Sequence, residues 1–177
     1  MERLQLAYND ERDVIVESPL CYHGHAVLDN FCDVLYKLPN TRWVSFLRDP
    51  LRSAISLYHY GISQGTVQEI GIHNWLTSTE TFCWPNPPGY NHNRFSKWIA
   101  RAKTSWDQFD IVGITEYFDQ SIDLISRELN WPVIEYSSRN VGSYKSPELS
   151  DSIIEEFKRL NSNDYQIYDK AVKRLIN

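Results

Sequence analysis

Two apolar runs constrain this chain most: "RWVSFL" (42–47) and "FDIVGI" (109–114). Both are rich in strand formers, and neither alternates strictly between polar and apolar. Such a strand needs cover on both faces, which is the situation of a parallel strand between helical layers. The segments around them read as helices. "DPLRSAISLYHYGI" begins with Asp49 as N-cap and Pro50 at the first helical position. "EYFDQSIDLISREL" follows Thr115 as N-cap and lines up Phe118, Ile122, Ile125 and Leu129 on one stripe. Upstream, "DVIVES" (13–18) has strand character. "AVLDNFCDVLYKL" (26–38) places Val27, Phe31, Val34, Leu35 and Leu38 on one helical face before Pro39-Asn40 ends it.

Residues 61–90 are Gly-, Thr- and Pro-rich and read as a long surface excursion with a short helix inside it. "HNRFSKWIARAKTSW" (92–106) reads as helix, "WPVIEY" (131–136) as a third apolar strand after the two runs, and "RNVGSYKSP" (139–147) as a loop. Two short helices, over 150–160 and about 164–175, close the chain. Strands alternating with helices predict an α/β fold: a mainly parallel sheet flanked by helices, in a single domain over 1–177.

At 42% hydrophobic and 23% charged residues, the composition is that of a soluble globular domain. No apolar run approaches the roughly 20 residues that span a bilayer. The first residues, "MERLQLAYNDERD", are polar and give no signal peptide. Three cysteines (Cys21, Cys32, Cys83) form no C-x-x-C pair, so reduced thiols and a cytoplasmic location are expected. A formal charge of −5 without a Lys/Arg stripe argues against nucleic acid and leaves anion binding to local cations. Six Trp and eleven Tyr either fill the core and its rim or line a pocket for a flat ring.

In parallel α/β sheets, ligands bind outside the carboxyl ends of the strands. That rule selects Arg48-Asp49, Gly113-Thr115-Glu116 and the 139–147 loop. Arg48 offers a planar fork that suits phosphate or carboxylate, Ser56 a further donor, and the helix N-terminus a favourable dipole. The structural alternative pairs Arg48 with Asp49 or Glu116; Glu116 otherwise reads as a charge at a helix N-terminus. "CYHGHAVLDNF" (21–31) allows three readings: metal ligands, a catalytic base with its helper, or solvated histidines. Zinc would need more ligands than Cys21, His23 and His25, and His73, Cys83 and His92 are scattered, so no metal is expected. If the segment is extended, His23 and His25 point to one side, and Gly24 leaves room for a ligand.

Here the sequence resembles a family. Arg-Asp-Pro with serine eight residues after the arginine (Arg48, Ser56) is similar to the 3′-phosphate-binding segment of sulfotransferases. These enzymes use 3′-phosphoadenosine 5′-phosphosulfate (PAPS). "YHGHAVLDNF" resembles the His-Gly-His segment of the heparan-sulfate and uronyl 2-O-sulfotransferases and their bacterial relatives. "FDIVGITEYFDQSIDLI" resembles their Val-Gly-Val-Thr-Glu unit, and "LNSNDYQIYDKAVKRL" their C-terminal helix. The resemblance runs from about residue 20 to the end. It implies a P-loop-NTPase-like sulfotransferase fold, with a sulfuryl group passing from PAPS to an acceptor hydroxyl on a carbohydrate or small alcohol. By that resemblance Arg48 and Ser56 grip the 3′-phosphate, and Thr115 lies near the cofactor. Lys145 sits in the loop closing over the nucleotide, His25 is the general base and His23 supports it. A histidine near its ordinary pKa suits that proton transfer at neutral pH.

The sequence departs from the family pattern twice. Ser53 stands where the family carries a second arginine, and Arg52 comes one residue earlier. Only 22 residues precede His23, and they contain neither glycine nor lysine, so the family's 5′-phosphosulfate loop is expected to be lacking and the fold N-terminally truncated, whether the chain is a fragment, a degenerate relative, or completed by another chain. That loop stabilises charge on the leaving group, so the chain alone is expected to have little activity, and a non-catalytic nucleotide-binding module is the alternative. Asn91 and Arg94 are either acceptor contacts or a solvated helix start; Trp84 and Tyr90 cover the acceptor or simply pack. An incomplete sheet leaves an apolar edge that invites a second copy of the chain.

Overall fold

β1 (Val44–Leu47) and β2 (Ile111–Ile114) pair in parallel, in register from Val44↔Ile111 to Leu47↔Ile114. The computed structural model of the chain describes residues 42–78, 92–101, 106–132, 136–137 and 147–177. Helices surround the pair: α1 (Pro50–Ser63), α2 (Ile72–Thr77), α3 (Arg94–Arg101), α4 (Phe118–Leu129), α5 (Asp151–Leu160) and α6 (Ser162–Ile176). The expected strand over 13–18, helix over 26–38 and loop over 139–147 lie wholly or almost wholly outside the described residues. So do residues 133–135 of the expected third strand. Among the described residues the architecture is therefore helix-rich, with a small parallel sheet. No helix among them is long and apolar enough to cross a membrane.

The register sorts side chains onto two faces. Ser45, Leu47, Val112 and Ile114 share one face, which α6 covers. Ala171 is buried there with Leu47, Val112 and Ile114, and Ile167, Tyr168, Val172 and Leu175 pack against them. Val44, Phe46, Ile111 and Gly113 share the other face, over which α4 returns with Ile125 buried. A Cβ on Gly113 would lie 2.6 Å from the Phe46 ring, so only glycine lets that ring lie across its register partner. β2 is buried throughout, as expected of a parallel strand. β1 is not, because α4 follows β2 and covers that half of the face: Val44 is 37% and Phe46 40% exposed.

A second core joins α1, α2 and α5 through Ala54, Tyr58, Val67, Trp75, Leu76 and Phe157. The Trp75 indole N–H donates to the Ala54 carbonyl at 3.0 Å, and the Gly71 N–H donates to the Tyr58 hydroxyl at 2.9 Å. The segment 61–78 is thus a core-building element rather than the surface excursion its composition suggests. Its large apolar side chains, Trp75 and Leu76, outweigh its glycines.

α3 begins two residues later than its periodicity predicts, after Asn93 in a left-handed conformation (φ 48°), and ends before the separate turn Trp106–Gln108. Its first amides are satisfied from another helix. The buried Asp164 carboxylate of α6 accepts from the Phe95 N–H at 3.0 Å, the Ser96 N–H at 2.8 Å and the Ser96 hydroxyl. Beside it, Asn161 accepts from the Asn93 N–H at 2.8 Å and donates to the Phe157 carbonyl at 2.8 Å. Asp164→Ala leaves these amides without their charged acceptor and is expected to destabilise the fold by about 2–3 kcal/mol in urea unfolding, the scale of hydrogen bonds to a charged group. A loss below about 0.5 kcal/mol, the range of ordinary surface substitutions, would show that the amides find other partners.

Candidate functional site

Two strand ends build the site. β1 stops at Leu47 and Arg48 follows; β2 stops at Ile114 and Thr115 follows. The Leu47↔Ile114 register therefore brings Arg48 and Thr115 side by side at the carboxyl edge of the pair. The Thr115 hydroxyl donates across this edge to the Leu47 carbonyl at 3.0 Å. Thr115 is thus a tie between strands and not the helix cap expected of it: a 3-10 turn, Thr115–Tyr117, intervenes before α4. The turn is held by buried Ser121, whose hydroxyl accepts from the Ile114 N–H at 2.8 Å.

Asp49 caps α1 as expected, its carboxylate accepting from the Arg52 N–H at 2.8 Å, with Pro50 in the first turn. Burial, with Asp49 nearby, raises the Tyr165 phenol above its ordinary pKa. The Asp49 N–H donates to both Glu116 carboxylate oxygens at 3.2 Å. The Arg52 amide of α1 and the Asp49 amide just before it are therefore already taken by side chains, so these two donors are not free for an anion, while the helix N-terminus still contributes its dipole. Glu116 also accepts from the Tyr168 hydroxyl at 3.1 Å. Burial first, then the Glu116 charge, raise the Tyr168 phenol, so it stays the donor.

Arg48 is exposed and pairs with neither Asp49 nor Glu116; among the described residues its guanidinium has no hydrogen-bond or ion-pair partner. Ser56 lies half-buried in the second turn of α1. Arg52 stands four residues before it, so both lie on one face of α1. Arg52 comes one residue before the family's second arginine position, and the four-residue step from Arg48 through Arg52 to Ser56 is the signal that marks it. Next to this edge lies an open aromatic row. The Phe46 and Phe118 rings are 5.5 Å apart, and those of Phe118 and Tyr136 4.9 Å apart. The Tyr136 hydroxyl donates to Asp119.

His23, His25 and Lys145 lie outside the described residues, as do Cys21, Cys83, Trp84, Tyr90 and Asn91. Arg94 opens α3 and is half-buried. Among the described residues no group of three or more His, Cys, Asp or Glu side chains is placed to hold a metal ion. His92 is a core residue, its Nε2 3.1 Å from the Leu76 carbonyl. No protein-family model matches the chain, and no curated protein or solved structure matches it either.

Burial pulls the His92 pKa below its ordinary value near 6.5, against the pull of its bond to Leu76. The native state therefore prefers the neutral ring. Its contribution to stability is complete above about pH 6.5 and is lost as pH falls through the lowered native value. Urea midpoints of the wild-type chain are expected to carry a downward component between pH 7.5 and 5 that His92→Gln lacks. Parallel midpoint curves for the two proteins would show that His92 does not titrate with unfolding.

Proposed function

We propose that this chain is a PAPS-dependent sulfotransferase-type domain acting on an acceptor hydroxyl of a carbohydrate or small alcohol, in a reduced, cytoplasmic setting. The observation that carries the reading is Arg48: an arginine without a partner among the described residues, beside Thr115 at the carboxyl edge of a parallel strand pair. A guanidinium fork in that place suits a phosphate monoester, and Ser56 supplies a neutral hydroxyl on the helix that follows. The nearby carboxylates weaken the site less than their number suggests, because Asp49 and Glu116 each face N–H donors. The open rings of Phe46, Phe118 and Tyr136 offer flat apolar surface for a base. The order of the sequence motifs supports the same reading.

In this reading the acceptor oxygen attacks sulfur in line. A new S–O bond forms, the bond from sulfur to the 5′-phosphate oxygen breaks, and 3′-phosphoadenosine 5′-phosphate (PAP) leaves. By the sequence resemblance the hydroxyl proton would pass to His25, with His23 in support, and Lys145 would contribute to nucleotide binding. Arg48 and Ser56 hold the 3′-phosphate throughout and take no part in the bond exchange. A second reading, a PAP-binding module that no longer transfers sulfate, is favoured by one observation. The Asp49 and Arg52 amides at this strand end are taken by Glu116 and Asp49, which leaves the Arg48 and Ser56 side chains, groups that suit holding a 3′-phosphate and take no part in the transfer.

Titration calorimetry with PAP, run beside a PAPS transfer assay, tests both. The wild-type chain is expected to bind PAP. Arg48→Ala is expected to weaken binding by about 1.5–3 kcal/mol, the scale of a charge-assisted hydrogen bond, and Ser56→Ala by about 1 kcal/mol. Unfolding should be unchanged by Arg48→Ala, since the side chain is exposed. Binding without transfer selects the module; no binding, or equal affinity in Arg48→Ala, refutes both readings.

A further inference from the structure

We infer that Glu116 is a positioning residue: its carboxylate, reaching from the end of β2 to the Asp49 amide and anchored by Tyr168, sets where Arg48 stands at the mouth of the sheet. The inference rests on the nucleotide reading only for its affinity arm. Arg48 has no side-chain partner among the described residues, so its place is fixed through its own backbone. On one side it follows Leu47, whose carbonyl takes the Thr115 hydroxyl. On the other it precedes Asp49, whose N–H lies 3.2 Å from each Glu116 oxygen. The Tyr168 hydroxyl, from α6, holds one of those oxygens at 3.1 Å. Three elements, β2 with its following turn, the β1–α1 junction and α6, therefore meet on one carboxylate next to the arginine.

A positioning role and a plain electrostatic role predict opposite signs. A carboxylate beside a site for phosphate repels the ligand, so removing it for charge alone would tighten binding. If the carboxylate positions Arg48, removing it weakens binding although a negative charge is gone. Glutamine separates the two further, because its amide oxygen still accepts from the Asp49 N–H while the charge is lost.

The experiment measures PAP affinity by calorimetry for the wild-type chain, Glu116→Ala, Glu116→Gln, Tyr168→Phe and the Arg48→Ala pairings. Glu116→Ala is expected to weaken PAP binding about tenfold, the fold-change of one lost charge-assisted bond. Glu116→Gln should keep wild-type affinity or exceed it. Tyr168→Phe should weaken binding by about threefold, on the scale of a neutral hydrogen bond. In the Arg48→Ala background, Glu116→Ala should add almost nothing, as expected for residues acting through one another. Tighter binding by Glu116→Ala, or losses that add in the double variant, overturns the inference. Hydrogen exchange at the Asp49 amide, followed by NMR, needs no ligand. Exchange should be faster than wild type in Glu116→Ala and preserved in Glu116→Gln. Unchanged exchange in Glu116→Ala overturns the inference whether or not PAP binds, and absence of PAP binding by the wild-type chain refutes only the nucleotide reading. Should Glu116→Ala fail to fold, Tyr168→Phe carries both arms: unchanged affinity together with unchanged Asp49 exchange overturns the inference.

Discussion

Acidic side chains at the two ends of β2 hold the chain that enters and leaves β1. Asp110 accepts from the Trp43 N–H at 2.7 Å, and Glu116 accepts from the Asp49 N–H at 3.2 Å. Both bonds span 67 residues, the same offset as the Val44↔Ile111 pairing between them. Two four-residue strands form too short a ladder to fix their own alignment. A slip by one residue would break both carboxylate bonds and put Leu47 and Ile114 on opposite faces, so that α6 could cover only one of them. The register is therefore set by the flanks as much as by the ladder, and the position of Arg48 inherits that precision.

α6 carries the next level of organisation. Asp164, Tyr168, Ala171 and Leu175 recur at helical spacing on one side, and between them they meet three parts of the fold. Asp164 takes the first amides of α3, Tyr168 donates to Glu116, and Ala171 and Leu175 join the core against the sheet. Arg174 adds a polar clasp from the same helix, donating to the Asp110 carbonyl at 2.8 Å. Polar and apolar positions on this stripe thus carry separate duties: the apolar ones cover the sheet, and the polar ones fix the loops at either end of it.

Local patterns made much of this readable in advance. The two apolar runs became the two paired strands, and Asp49-Pro50 began a helix, because each depends on residues within a few positions. What failed to read locally was settled at long range. Thr115 looks like a cap, yet its hydroxyl finds the Leu47 carbonyl, available only once the strands have paired. Glycines and threonines made 61–78 look like surface, yet Trp75 and Leu76 meet α1 and α5 and are buried. Asp164 gives no sequence sign of serving α3, which lies some 68 residues away. The site divides in the same way. Arg48 at a strand mouth follows from strand, arginine, aspartate and proline in order, whereas the occupation of the Asp49 amide by Glu116 is visible only in three dimensions.

That occupation decides what kind of recognition this edge can support. An anion site made of helix amides is indifferent to the rest of its ligand, since backbone donors read only charge and size. Here the Asp49 and Arg52 amides are satisfied, and the chain as a whole is acidic, with a formal charge of −5. The free capacity lies in side chains: the Arg48 fork and, on the exposed face of α1, Arg52 beside Ser56. A simple anion can use that fork alone, and the surrounding acidity opposes it. A ligand that joins a phosphate monoester to a flat ring also gains the open rows of Phe46, Phe118 and Tyr136, where ring contacts are each worth about 0.5–1.5 kcal/mol beyond area burial. On the proposed nucleotide reading, selectivity at this edge would arise from the pairing of one cationic fork with one apolar shelf, and Glu116 would matter because it fixes the fork to the strand end that carries the shelf.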